Sequence, residues 1–332
     1  MDLSTRYLGF DLPHPFMPGA SPMVDDLDTV KRLEDAGAAA IVMNSLFEEQ
    51  IVYEQVSLSH YMEDPAYSFA EALSYFPEAD TVSFGPEEYL QKLFKVVEAV
   101  HIPVIGSLNG TTKGRWLEYA RLIEQTGADA LELNVYALPT DPSESAAEIE
   151  SRTVEVVKEV KQSISIPLAV KLSPYYTSPA HLAKCLEAAG ADGLVLFNRF
   201  YQADIDVEEL EVARSLQLSN PSDLLLRLRW LAILSGQIAV SFAVTGGVHS
   251  PIDAIKAIMT GAHAVQMVSA LLKNGPEYLA MIRRGVATWL IEHDYDSLAQ
   301  ARGSMNHQRC PDPAGYERAN YMDILQSWKA EL

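Results

Sequence analysis

The sequence predicts a closed (β/α)8 barrel with a hairpin ahead of it and long connections at one rim. Three observations carry that expectation. Apolar segments of strand length alternate with amphipathic helical spacing along most of the 332 residues. Half of those strands follow a helix that stops on a small residue, glycine and alanine, and the other half do not. Near the end, two consecutive strands finish on glycine or hydroxyl residues, Thr245-Gly246-Gly247 and Val268-Ser269.

In chain order, residues 3–12 with Gly9 at their centre read as a hairpin, and residues 16–20 as the first barrel strand, closed by Ser21-Pro22. Asp25 or Asp26 caps a helix that runs to Ala36 and ends at Gly37, before a second strand at residues 39–43. The same helix stop returns at Gly127 (TGADALEL), Gly190 (AGADGLVL) and Gly261 (TGAHAVQM). Between them lie HIPVIGSL from His101, SIPLAVKL from Ser165 and QIAVSFAV from Gln237, the last giving a strand at residues 238–244. The two kinds alternate through eight strands. Helical spacing fills residues 89–100, 115–126, 146–163, 179–189, 222–235 and 276–292. A doubly wound open sheet is the competing architecture, but neither GxGxxG nor a GKS/T loop follows the first strand. The chain reads as a single domain, with the barrel at about 14–292 and a tail at 293–332 that ends in a short helix near 316–329.

Three strand-to-helix connections are long. Residues 44–85 carry Tyr53, His60, Tyr61, Tyr67, Phe69, Tyr75 and Phe76, which favour an ordered cover. Residues 135–145 carry prolines and hydroxyls, and residues 198–220 carry Arg199, Phe200, Tyr201 and an acidic run. All three belong at the C-terminal rim, where barrel enzymes bind substrates.

The net charge of −20 argues against nucleic acid or an anionic membrane as partner. Cys185 and Cys310 are the only cysteines, so there is no disulfide framework and no four-thiolate set, which fits a reducing cytoplasm. No signal peptide or apolar run of membrane length is expected, and the eight histidines lack ligand spacing, so no metal site is expected either.

Two side-chain-free residues after a parallel strand let backbone N–H groups approach an anion, and Ser250-Pro251 opens the next helix as cap and first residue. Gly246, Gly247, Val268 and Ser269 therefore read as a phosphate cradle at the ends of the last two barrel strands. Asn44, Asn134, Lys171 and Asn198, joined by Ser107 and Asn109, end apolar strands at the same rim and converge on the barrel mouth. Lys171 has three competing roles: Schiff-base nucleophile, a charge beside an electron-rich ring, or a member of an ion pair. A phosphate cradle beside amide-bearing strand ends suits a flat heterocyclic cofactor with a phosphate tail.

These stretches, PHPFMPGASP, ELN, LAVKL, LVLFN and VTGGVHSPIDAIKAIMTGAHAVQMVSALLKNGPEY, resemble the dihydroorotate dehydrogenases. The likeness is to the soluble class 1 enzymes, the flavin domain of dihydropyrimidine dehydrogenase and especially the dihydroorotate dehydrogenase-like proteins. The resemblance implies a TIM barrel holding FMN, with Ala20 and Ser21 along the ring and Asn134 and Lys171 near its pyrimidine edge. It places Gly246, Gly247 and Ser269 at the phosphate, with Val268 there where the family has a glycine, and Asn44 beside the cofactor. Lys171 then stabilises negative charge on the reduced flavin, and Asn134 and Asn198 meet the substrate, with Arg199 beside them where the family usually has a serine. A homodimer and an outside electron acceptor, small or protein, complete what the family implies.

Two departures bear on the substrate. The class 1 family has Lys-Ser after the second strand, where this chain reads Met43-Asn44. It also has a cysteine base after the fourth-strand asparagine, where this chain reads Asn134-Val135-Tyr136-Ala137. Alanine accepts no proton, which leaves Tyr136, Thr140 or Ser143 of the same connection to take it. The expected activity is an FMN-dependent oxidation of a CH–CH group, dihydroorotate or a related small cyclic substrate. The alternatives are a flavin-bearing electron-transfer or accessory protein without that chemistry, and a flavin-free barrel enzyme such as an aldolase using Lys171.

Overall fold

The computed structural model describes residues 1–48, 50, 85–110, 116–135, 138–199, 202–213, 216–318 and 320–327. A hairpin of β1 (Thr5–Tyr7) and β2 (Phe10–Leu12) comes first, turning at Gly9 with φ +86°. The barrel strands β3 (Phe16–Pro18), β4 (Ile41–Phe47), β5 (Val104–Asn109), β6 (Ala130–Asn134), β7 (Leu168–Leu172) and β8 (Gly193–Leu196) follow. A second antiparallel hairpin, β9 (Asp204–Asp206) and β10 (Glu211–Ala213), precedes the last barrel strands, β11 (Ser241–Thr245) and β12 (Ala264–Met267). The eight barrel strands run parallel in the order β3-β12-β11-β8-β7-β6-β5-β4. The two end strands meet where the Ala39 N–H donates to the Phe16 carbonyl at 3.0 Å. The expected (β/α)8 barrel is the fold observed.

The helices between them are α1 (Leu27–Asp35), α2 (Pro86–Ala99), α3 (Trp116–Gln125), α4 (Ala146–Ser163), α5 (Pro179–Ala188), α6 (Leu224–Leu234) and α7 (Pro251–Thr260). Then come α8 (Ser269–Asn274), α9 (Tyr278–Glu292), α10 (Leu298–Ala301) and α11 (Asn320–Ser327). The recurring glycines end helices as expected: Gly37, Gly127, Gly190 and Gly261 all have positive φ. Beyond three of them the next N–H reaches back to a helix carbonyl at 3.0 Å, Ala38 to Leu33, Ala191 to Leu186 and Ala262 to Ala257.

Side-chain alternation divides the core in two. Outward residues of the strands pack against the helices, and inward ones fill the lumen. The lower lumen is lined by small side chains, Ala130, Ala169, Ala243 and Ala264 among them, and the first hairpin plugs it with Tyr7, Leu8 and Leu12. Gly193 makes room for that plug, because a Cβ there would lie 2.6 Å from Leu8 Cδ2.

Three expectations are corrected. β4 runs on to Phe47 instead of ending at Met43, because β5 offers partners as far as Asn109, and the register shifts between Val42 and Ser45. The strand expected at residues 238–244 starts only at Ser241, where its neighbour β8 begins at Gly193. The long connection at 198–220, in which no strand is expected, contains β9 and β10, whose acidic residues hide the strand pattern. The residues after 292 also join the barrel: Leu298 and Ala301 are buried in the outer core, and the Met305 and His307 N–H groups bond to Met259 and Ala232 carbonyls. The helix near the end covers residues 320–327 of the span expected at 316–329. Most of the 44–85 connection lies outside the described residues.

Candidate active site

The C-terminal rim opens into a cleft of about 520 Å³. Period-2 alternation puts polar residues there, because the inward positions of β6 read Ala130, Glu132, Asn134 and those of β7 read Ala169, Lys171. Ala20, Ser21, Asn44, Asn134, Lys171, Asn198 and Arg199 all line the cleft. The register shift in β4 lets both Asn44 and Ser45 face it, while Met43 packs into the outer core. Asn44 and Ser45, not Met43, are therefore the residues of β4 that line the cleft.

The Asn198 amide donates to Asn134 Oδ1 at 2.7 Å, tying the β8 end to the β6 end. Ser45 and Ser107 hydroxyls lie 2.7 Å apart on the opposite wall. Tyr89 of α2 braces that wall, its hydroxyl 2.9 Å from both the Ser107 carbonyl and the Ser107 N–H. Burial pushes the Tyr89 phenol upward, so it stays protonated as a donor. Lys171 Nζ lies at the floor, 2.9 Å from Glu132 Oε1, and Gln266 Nε2 donates to Glu132 Oε2 at 2.6 Å. Glu132 and Gln266 are fully buried, and the Lys171 side chain is 8 % exposed. Sequence reasoning missed Glu132 and Gln266. Their signal was a polar residue at an inward position of an otherwise apolar strand.

Gly246 and Gly247 have φ of +84° and +86°, and Gly247 is also required for packing, since a Cβ there would lie 2.5 Å from the Leu224 nitrogen. Ser219 joins the two strand ends: its N–H donates to Ser269 Oγ at 2.9 Å and its hydroxyl accepts from the Gly247 N–H at 3.3 Å. Val268 is the residue before α8. These four expected residues thus gather beside β11 and β12, outside the residues that line the cleft. Arg227 of α6 is buried behind Gly246, donating to the Thr245, Asp223 and Phe197 carbonyls, and burial lowers its pKa to about 10. A second cleft of about 580 Å³ shares Asn198 and Arg199 with the first. Thr140 is exposed and does not line the main cleft, while Tyr136 and Ala137 lie outside the described residues.

Among the described residues the buried Ser21 Oγ and Asn44 Oδ1 have no hydrogen-bond partner, and both residues line the cleft with the amides and the ammonium. That donor and acceptor set fits a flat heterocycle better than an apolar ligand. Among the described residues no three His, Cys, Asp or Glu side chains cluster as a metal would need, and no helix is long and apolar enough to cross a membrane.

A (β/α)8 barrel with a polar-floored cleft at the strand C-termini defines a barrel enzyme whose chemistry runs at that rim. Residues 81–290 match the family model described as dihydroorotate dehydrogenase. A catalytic subunit of dihydroorotate dehydrogenase B (NAD(+)) from Thermoplasma volcanium is 26% identical over 91% of this chain and 98% of its own. The subunit of the same name from Methanothermobacter thermautotrophicus is 25% identical over 91% and 97%. That of a Geobacillus species is 30% identical over 56% and 61%. The chain belongs to the dihydroorotate dehydrogenase family, a family of flavin-using oxidoreductases.

Proposed function

We propose that the chain binds FMN at the barrel mouth and oxidises a CH–CH group of dihydroorotate or a closely related small cyclic molecule. One observation carries the reading: the Lys171 ammonium lies on the cleft floor beside the Asn134–Asn198 amide pair, with Ser21 and Asn44 lining the same cleft. Ala20, Ser21 and Asn44 would border the ring, Asn134 and Lys171 its pyrimidine edge, and Gly246, Gly247, Val268 and Ser269 the phosphate. FMN held there would supply a hydride acceptor at N5.

The other steps fall to the chain itself. Asn134, Asn198 and Arg199 orient a ring bearing amide and carboxylate groups, with Arg199 opposite the carboxylate. Lys171 stabilises negative charge that develops above the floor. The substrate proton is assigned to the connection after β6, to Tyr136 ahead of the exposed Thr140. The NAD(+)-type relatives favour an electron acceptor supplied from outside. A homodimer is proposed by analogy with the family, as is the cytoplasm.

A second reading, a flavin-bearing protein without the dehydrogenation step, is favoured by Ala137 standing where the family has its cysteine base. Anaerobic mixing with dihydroorotate separates the two. Bleaching of the bound flavin is expected; a flavin that stays yellow supports the second reading. A purified protein that takes up no FMN ends both.

A further inference from the structure

We infer that Glu132 is a positioning residue: it anchors the Lys171 ammonium at the cleft floor and moderates the positive charge presented to the ligand above. Only the redox part of this inference rests on the flavin reading.

β6 and β12 stand diametrically opposite, four strands apart whichever way the barrel order is followed. A contact between Glu132 on β6 and Gln266 on β12 therefore spans the lumen and puts the carboxylate near the barrel axis, directly below the cleft. Register pairs Lys171 with Asn134, one inward layer above Glu132, so the lysine side chain has to bend down to meet the carboxylate. Each carboxylate oxygen has its own donor, Lys171 at 2.9 Å and Gln266 at 2.6 Å. Held at both oxygens, the carboxylate cannot swing, and it fixes an ammonium that otherwise sits on a flexible four-carbon stem. Below it lies the plug: burial, then the Glu132 charge, pushes the Tyr7 hydroxyl well above its ordinary value. Among the described residues the cation paired with Glu132 is Lys171.

A lone ammonium on the floor would hold an anionic ligand more tightly than a neutral pair does. Glu132 thus limits how far Lys171 favours the negative form of whatever lies above it.

Glu132→Gln keeps the volume and removes the charge. In the ligand-free protein, acylation of Lys171 by acetic anhydride, read by peptide mass spectrometry against the other lysines, is expected to speed up about tenfold as the ammonium loses its anchor. With FMN bound, the reduced-to-oxidised ratio at a given potential is expected to rise about tenfold, or about 30 mV for a two-electron couple. Glu132→Met, which removes the charge and leaves no buried amide to satisfy, should move both readouts the same way, and it decides the matter if Glu132→Gln does not fold. Unchanged Lys171 acylation and an unchanged potential would overturn the inference. If the wild type takes up no FMN, the flavin reading fails, and the acylation result still decides whether Glu132 anchors Lys171.

Discussion

At the scale of single residues, the site depends on one buried ion pair. Breaking such a pair leaves an uncompensated buried charge, which costs more than the pair contributes. Lys171→Met, similar in volume, strands Glu132 in the lumen. The ligand-free protein is expected to lose about 3–5 kcal/mol of unfolding free energy, read from the urea midpoint. A midpoint within error of wild type would mean that the carboxylate has taken up a proton or another donor. Asn44 and Met43 show what a sequence can and cannot disclose at this scale. Both residues were visible as the end of a strand, but which one faces the cleft depends on the register shift against β5. Nothing local to residues 41–47 encodes that shift. Glu132 and Gln266 are hidden in the sequence for a related reason. One polar residue in an apolar run reads as noise until its partner, 134 positions away, is placed opposite.

At the scale of elements, the glycine stops were the most legible feature, because positive φ is a local property that glycine adopts at little steric cost. α4 runs over the residues that the spacing predicts, 146–163, and β12 closes the TGAHAVQM stretch that follows the last glycine stop. The hairpin of β9 and β10 was not legible, since Asp204, Asp206 and Glu211 fill positions where strands ordinarily carry β-branched residues. The four stops are not equivalent. Among the described residues an added Cβ at Gly127 would meet only Val97 Cγ1 at 3.3 Å, whereas at Gly261 it would lie 2.3 Å from Ser235 Oγ and 2.4 Å from its Cβ. Gly127→Ala is expected to cost about 1 kcal/mol from backbone strain alone, and Gly261→Ala about 3 kcal/mol once Ser235 is displaced. Parallel denaturant titrations test the ranking, and equal losses would mean that packing adds nothing to the strain.

At the scale of the whole molecule, acid sensitivity should arise at the end of the barrel opposite the cleft. His14 precedes β3 and His263 precedes β12, and each Nδ1 accepts a backbone N–H, from Phe16 at 3.2 Å and from Phe242 at 3.0 Å. Protonation would abolish that acceptor. Burial first, then Arg283 for His14 and Arg302 for His263, lowers both from 6.5 to about 4. Between those values the unfolded chain binds protons that the folded chain does not. Stability is therefore complete above about pH 6.5 and falls as the pH drops toward 4, by about 3 kcal/mol per histidine at the lower end. Urea midpoints between pH 8 and pH 5 should follow that slope. His263→Asn, whose amide oxygen can accept the same N–H, should flatten it by about half. A slope identical to wild type would show that His263 is not a titrating group.

The plug at the closed end has a further consequence, for the order in which the molecule is assembled. Its hydrogen bonds reach Ser241 and His263, residues 233 and 258 positions later in the chain. A segment that leaves the ribosome well ahead of its partners is thus among the last to find its seat. Until β11 and β12 have been synthesised, Tyr7, Leu8 and Leu12 have no lumen to enter, and the nascent chain must carry three apolar side chains in water through most of its synthesis.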